Sequence, residues 1–319
     1  MQTRRLGAKG PELSVVGYGA WEAGAGSEWG DAPPKEQIVA AIRTVLDTDI
    51  NWIDTAEVYG DGRSEEMVAL AVTGHRDEVL IATKVAPEPD GTGFRPEQVR
   101  RACIDSLRRL RTGHIDLYQL HWPDDTGVAM EDTWGEMAAL VDEGLVRAIG
   151  VSNFSRARIE RCEAIRHVDS LQQEFSMLQL EDRELVAWCG ENGTGVLSYG
   201  PLAYGLLTGA IGPGTTFDAT DFRSGKDQWD FWEKMFAPGK LERSLAVVEA
   251  MRPLAERVGC TVGQLALAWN VAQPGVTSAI TGSRNPEHVR SNAAAGDVGL
   301  DAAALEELET ALRQGPSFA

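Results

Sequence analysis

The sequence predicts an α/β chain folded as a (β/α)8 TIM barrel. Three observations carry this: eight short apolar, β-branched runs, an amphipathic stretch after each, and a length of 319 residues that accommodates eight such units. The strands are read at 15–18, 51–54, 79–84, 115–121, 146–152, 170–173, 195–199 and 276–281. Helical patterns begin near Lys35, Ser64, Pro96, Met130, Ser155, Arg183, Leu241 and Pro286, with proline or serine at several starts as helix entry requires. Segments 3–6 and 12–14 flank the turn-rich Gly7-Ala-Lys-Gly-Pro11 and read as an N-terminal hairpin that would plug the barrel bottom. Segments 261–271 and 301–312 read as extra C-terminal helices. No repeat or linker divides the chain, so residues 1–319 are taken as one barrel domain.

Composition narrows the function. The chain is 43 % hydrophobic with 48 acidic against 30 basic residues, and its net charge of −18 repels phosphodiester backbones and anionic lipid. Nucleic-acid and membrane partners are therefore not expected. No basic start is followed by an apolar run, and no segment approaches a membrane span, so the cytoplasm is the expected compartment. Cys103, Cys162, Cys189 and Cys260 lie far apart without CxxC spacing and read as buried, reduced thiols. The five histidines form no HxH or HExxH pair, which argues against a metal-dependent barrel hydrolase or isomerase.

Barrel enzymes build their sites at the C-terminal ends of the strands, and three strands here end in polar residues. Asn51-Trp-Ile-Asp54 ends in an acid, Leu80-Ile-Ala-Thr-Lys84 in a lysine and Leu117-Tyr-Gln-Leu-His121 in a histidine, while Tyr59 follows Asp54 by five residues. Each residue alone has an ordinary structural use, as a helix cap, a solvated cation or a satisfied core imidazole. Converged, they would let Asp54 pair with Lys84, Lys84 acidify the Tyr59 phenol, and His121 orient a carbonyl oxygen.

In order and spacing, Asp54-Thr-Ala-Glu-Val-Tyr-Gly-Asp-Gly-Arg-Ser-Glu65, Thr83-Lys84, Asp116-Leu-Tyr-Gln-Leu-His-Trp122 and Gly150-Val-Ser-Asn-Phe154 are those of a known superfamily. They resemble the aldo-keto reductases, and most closely the bacterial branch similar to potassium-channel β-subunits. The resemblance implies a nicotinamide cofactor bound without a Rossmann domain; Gly17-Tyr-Gly-Ala-Trp-Glu22 accordingly lacks the third glycine of the dinucleotide fingerprint. It implies that Asp54, Tyr59, Lys84 and His121 form the catalytic tetrad. Ser152, Asn153 and Gln172 match carboxamide-binding positions, and Tyr199 the tyrosine that stacks on nicotinamide. Gly200, where serine is usual, Pro201 and Leu202 match the loop along the pyrophosphate. At the adenosine end the segment from Gly282 to Asn292 fits the gripping segment, with Ser283, Arg284 and Asn292 matching and His288 and Ser291 departing from the usual residues. The expected cofactor is NADP(H), with NAD(H) use left open by those departures.

The implied function is reversible reduction of an aldehyde or ketone to an alcohol; the alternative is a cofactor-binding regulatory subunit with negligible turnover. Trp21, Trp29, Trp122, Trp229 and Trp232 fall in loops at the expected catalytic face and suit a sugar, aromatic or apolar carbonyl substrate. Residues 200–240, rich in glycine and aromatics, read as a lid that orders over bound cofactor, with Arg223 reaching the pyrophosphate or pairing with Asp218 or Asp221. A homo-oligomer is compatible with the sequence.

Overall fold

A computed structural model describes residues 1–24, 29, 33–88, 93–225 and 230–314. Strands β1 (Thr3–Arg5) and β2 (Glu12–Ser14) pair antiparallel as the expected hairpin. Then β3 (Val16–Gly19), β4 (Trp52–Asp54), β5 (Leu80–Val85), β6 (Ile115–Leu120), β7 (Val146–Ser152), β8 (Ser170–Glu174), β9 (Gly195–Tyr199) and β10 (Val276–Thr281) close a barrel, with β10 beside β3. Every barrel pairing is parallel.

Helices follow the strands: α1 (Trp21–Gly24), α2 (Lys35–Arg43), α3 (Arg63–Ala71), α4 (Pro96–Leu110), α5 (Met130–Asp142), α6 (Arg156–Glu163) and α7 (Arg183–Glu191). After β9 come α8 (Asp230–Met235), α9 (Lys240–Val258) and α10 (Val262–Val271), and after β10 come α11 (Pro286–Ala294) and α12 (Ala302–Gln314). Local chemistry sets the ends. Pro96 and Pro286 occupy first turns, where a missing N–H costs nothing. The Thr261 hydroxyl accepts from the Gln264 N–H while the Gln264 side chain accepts from the Thr261 N–H, closing a capping box. The segment 200–240, expected to form a lid, holds short helical turns at Ala203–Thr208 and Phe222–Ser224, then α8 and the start of α9. Cys103, Cys162 and Cys189 are buried as expected; Cys260 is only partly buried, because it falls in the turn after α9.

Two-residue alternation sorts the strand side chains into two populations. Ile53, Ile81, Tyr118, Ile149, Leu171 and Val196 pack against the helices. Their neighbours Trp52, Ala82, Leu117, Ala148 and Leu197 form the interior cluster with Leu6 and Leu13 of the hairpin, so the hairpin does plug the barrel bottom. Trp52 fills much of that space, and its indole N–H donates to the Ser14 carbonyl and the Ser278 hydroxyl. This fit depends on Gly17, where a Cβ would lie 2.1 Å from the Trp52 ring. Gly17→Ala should therefore destabilise the barrel by about 1–3 kcal/mol through overpacking, read as a lower urea midpoint at unchanged slope.

Candidate active site

The same alternation that places Trp52 and Ala82 in the bottom layer places Asp54 and Lys84 two residues higher, inside the barrel. Lys84 is fully buried, and its Nζ donates to Asp54 Oδ2 at 2.6 Å, to the Thr55 carbonyl at 2.9 Å and to Tyr59 Oη at 3.3 Å. Gln172 completes the carboxylate's coordination, donating from Nε2 to Asp54 Oδ1 at 2.8 Å. Burial pushes the Lys84 ammonium below its ordinary pKa, and the charge and hydrogen bond of Asp54 resist that fall. Across the site, Tyr59 Oη lies 3.5 Å from His121 Nε2. Burial first, and the Lys84 charge second, hold His121 well below the usual imidazole pKa. It is therefore a neutral ring at pH 7, and its Nδ1 has no partner among the described residues.

The Tyr59 loop is held by close packing. The Ser64 N–H donates to the Tyr59 carbonyl, and the Ser64 hydroxyl bridges Thr55 and the Ala20 carbonyl. Gly60, at φ 63, lies against Gly24 so closely that a Cβ there would meet the Gly24 carbonyl oxygen at 2.0 Å. The glycine after Tyr59 is thus required by the approach of α1.

These groups open onto a cavity of about 1340 Å³. Asp54, Tyr59 and His121 line it together with Ser152, Asn153, Gln172, Tyr199, Gly200, Pro201 and Leu202, and at its far end Gly282, Ser283, Arg284, His288 and Asn292. Lys84 lies beneath this wall. Tyr199 Oη donates to Asn153 Oδ1 at 2.9 Å, and Asn153, itself at φ 60, donates to the Ser152 hydroxyl. Arg284 donates to the Trp29 carbonyl at 2.8 Å and lies 3.8 Å from Glu22; the Ser283 hydroxyl meets His288 Nδ1.

Of the five tryptophans expected here, Trp21, Trp29 and Trp122 line the cavity. Trp232 does not: α8 turns its indole N–H onto the Arg223 carbonyl, away from the cavity wall. Trp229 lies outside the described residues. Phe222 takes a place beside them, buried and stacked on Trp21 at 5.8 Å and edge-on to Trp29 at 4.7 Å. Arg223 makes a two-pronged pair with Asp221 and lies over the Trp29, Phe217 and Phe222 rings.

Sequence reasoning missed Glu22, Glu174, Tyr204 and Gln264, all on the cavity wall. Glu174 was within reach, since it lies two residues past Gln172 on the same strand face. Tyr204, donating to Glu174 at 3.0 Å from a backbone at φ 54, left no readable signal.

Comparison with known proteins shows the family. Residues 15–313 match the model of the aldo/keto reductase family. The chain is 36 % identical over 294 residues to the aldo-keto reductase YhdN of Bacillus subtilis, covering 90 % of this chain and 86 % of that protein. Its fold superposes on the glycerol dehydrogenase AKR11B4 from Gluconobacter oxydans with a TM-score of 0.86 at 31 % identity, covering 98 % of this chain and 95 % of that one. An aldo/keto reductase from Klebsiella pneumoniae, solved in complex with NADP and acetate, gives a TM-score of 0.72 at 31 % identity, covering 97 % and 94 %. The chain belongs to the aldo/keto reductase family, and it is an oxidoreductase of a family that uses nicotinamide cofactors.

The buried ion pair makes a testable demand. Asp54→Asn leaves the Lys84 charge without its counter-ion and should cost about 3 kcal/mol of unfolding free energy. The loss should shrink as pH rises toward the ordinary lysine value of 10.5. There the unfolded chain binds the proton that the folded one has given up, so stability increases with pH. Urea titrations at neutral and alkaline pH check both parts.

Proposed function

We propose that this protein reduces aldehydes or ketones to alcohols, and oxidises alcohols in reverse, using NADP(H), in the cytoplasm. The observation that carries the reading is the position of Tyr59 Oη, within 3.3 Å of Lys84 Nζ and 3.5 Å of His121 Nε2 on the wall of a large cavity. That is the arrangement a proton donor to a carbonyl oxygen needs.

Tyr59 gives its phenolic proton to the substrate oxygen, and the Lys84 ammonium stabilises the phenolate that remains. Asp54 keeps Lys84 charged in a buried setting where desolvation works against the charge. Neutral His121 orients the substrate oxygen without adding a second buried charge. The cofactor, when bound, supplies or accepts the hydride. The residues present fit such a cofactor: Gly200, at φ 64, leaves the wall beyond Tyr199 without a side chain, and amide, hydroxyl and guanidinium donors continue along the cavity. Ser152, Asn153 and Gln172 would hold the carboxamide, Tyr199 the ring, and Gly200, Pro201 and Leu202 the pyrophosphate. Gly282, Ser283, Arg284, His288 and Asn292 would hold the adenosine end, where Arg284 gives the 2′-phosphate a cationic partner.

The substrate end is bounded by Trp21, Trp29 and Trp122, backed by buried Phe222, flat faces that favour a sugar, polyol-derived or aromatic carbonyl. Likeness to a glycerol dehydrogenase supports the polyol-derived class among these.

Tyr59→Phe should keep NADPH binding and lose on the order of 10²–10⁴ in kcat toward a panel of aldehydes and ketones. Fluorescence titration with NADPH and NADH, then steady-state rates, measures both. Wild-type turnover in the variant contradicts the proton assignment, and tighter binding of NADH contradicts the cofactor preference.

A further inference from the structure

Between Asp54 and Tyr59 the loop carries Glu57, which the reaction as described does not use. Its backbone N–H donates to the Lys84 carbonyl at 3.3 Å, and its carboxylate Oε1 accepts from the Ala86 N–H at 2.9 Å. One residue thus fastens the Tyr59 loop to the main chain on both sides of Val85, directly after Lys84. Its other carboxylate oxygen lies 3.9 Å from Arg109 on α4. Arg109 is anchored in turn, donating from Nε to Glu65 Oε2 at 2.5 Å, while the Thr83 hydroxyl donates to Glu65 Oε1 at 2.6 Å. The groups facing Glu57 are therefore Glu65 on α3, Asp105 and Arg109 on α4, and Tyr118 on β6, whose buried hydroxyl has no partner among the described residues.

We propose that Glu57 is a positioning residue for the reaction: as a carboxylate it ties the Tyr59 loop to the end of β5 next to Lys84, and on protonation that tie slackens. The inference rests on Tyr59 being the proton donor. Protonation changes the Ala86 contact from a charge-assisted hydrogen bond to a neutral one and removes the attraction to Arg109. The distance from Tyr59 Oη to Lys84 Nζ is then set by a looser loop. Burial pushes the Glu57 carboxyl up to about 7; Glu65 and Asp105 add to the rise, and the Ala86 N–H and Arg109 oppose it. Falling pH through that value protonates Glu57 and lowers the rate. The direction is opposite to the alkaline loss expected when a general acid gives up its proton.

The test is the pH profile of kcat for carbonyl reduction in the wild type and in Glu57→Gln, whose amide oxygen still accepts from Ala86 but does not titrate. Wild-type kcat should fall at least about threefold from about pH 8 to about pH 6, and Glu57→Gln should be flat over that range with NADPH affinity unchanged. An identical acid limb in the variant overturns the proposal. Carboxyl 13C NMR of wild-type protein labelled at glutamate and bound to NADPH reads the same titration directly. A carboxyl whose midpoint coincides with the kcat limb is expected; the lack of one overturns the proposal even where the variant fails to fold. Tyr59→Phe, run beside them, separates the two readings. Full activity there means Tyr59 is not the donor, whereas an inactive Tyr59→Phe with an unchanged limb in Glu57→Gln rejects Glu57 alone.

Discussion

The buried pair of Asp54 and Lys84 is the constraint around which the rest of the site is arranged. A lysine with no solvent exposure is unfavourable unless its three protons are met, and here a carboxylate, a carbonyl and a phenol meet them. The carboxylate needs partners in its turn, which is why Gln172 reaches it from the opposite wall of the barrel. Strand register makes this possible. Asp54 pairs with Ala82, so the next inward-facing residue of β5 is Lys84, one step above the carboxylate. Moving either strand by one residue would turn a charge outward into the apolar layer beneath the helices.

The barrel interior divides accordingly. Its lower part is filled by Trp52, Leu117 and Leu197 and closed by Leu6 and Leu13, which gives stability without chemistry. Its upper part holds the polar network and opens to the cavity. The strong field of the ion pair depends on the dry floor below it, because the same charges in water would interact far more weakly. His121 answers to that field as well, since the Lys84 charge helps to hold its ring neutral.

The strands were legible because each is a short, largely apolar run between helical stretches, and the ends of β7, β9 and β10 fall where the pattern places them. Asp54, Lys84 and His121 stood out because each interrupts an apolar run that would otherwise be core. Convergence of Tyr59 on them was not legible from spacing alone; it depends on the contact of Gly24 with Gly60, made between segments distant in sequence. Residues 200–240 were read least well. Their glycines and aromatics suggest a lid but not its contacts: Phe222 is buried against Trp21, and Trp232 is drawn to the Arg223 carbonyl by the helix it sits on. Composition fixes neither choice, because which aromatic meets which is decided by tertiary packing. The pair of Arg223 with Asp221 was accessible, being local and two residues apart.

In the proposed reaction Lys84 acts through Tyr59 and not on the substrate directly. A double-mutant cycle in kcat/KM over wild type, Lys84→Met, Tyr59→Phe and the double variant measures that coupling. The double variant should be no slower than Tyr59→Phe alone. Losses that multiply would contradict it, because they would mean that the two residues act on the reaction independently.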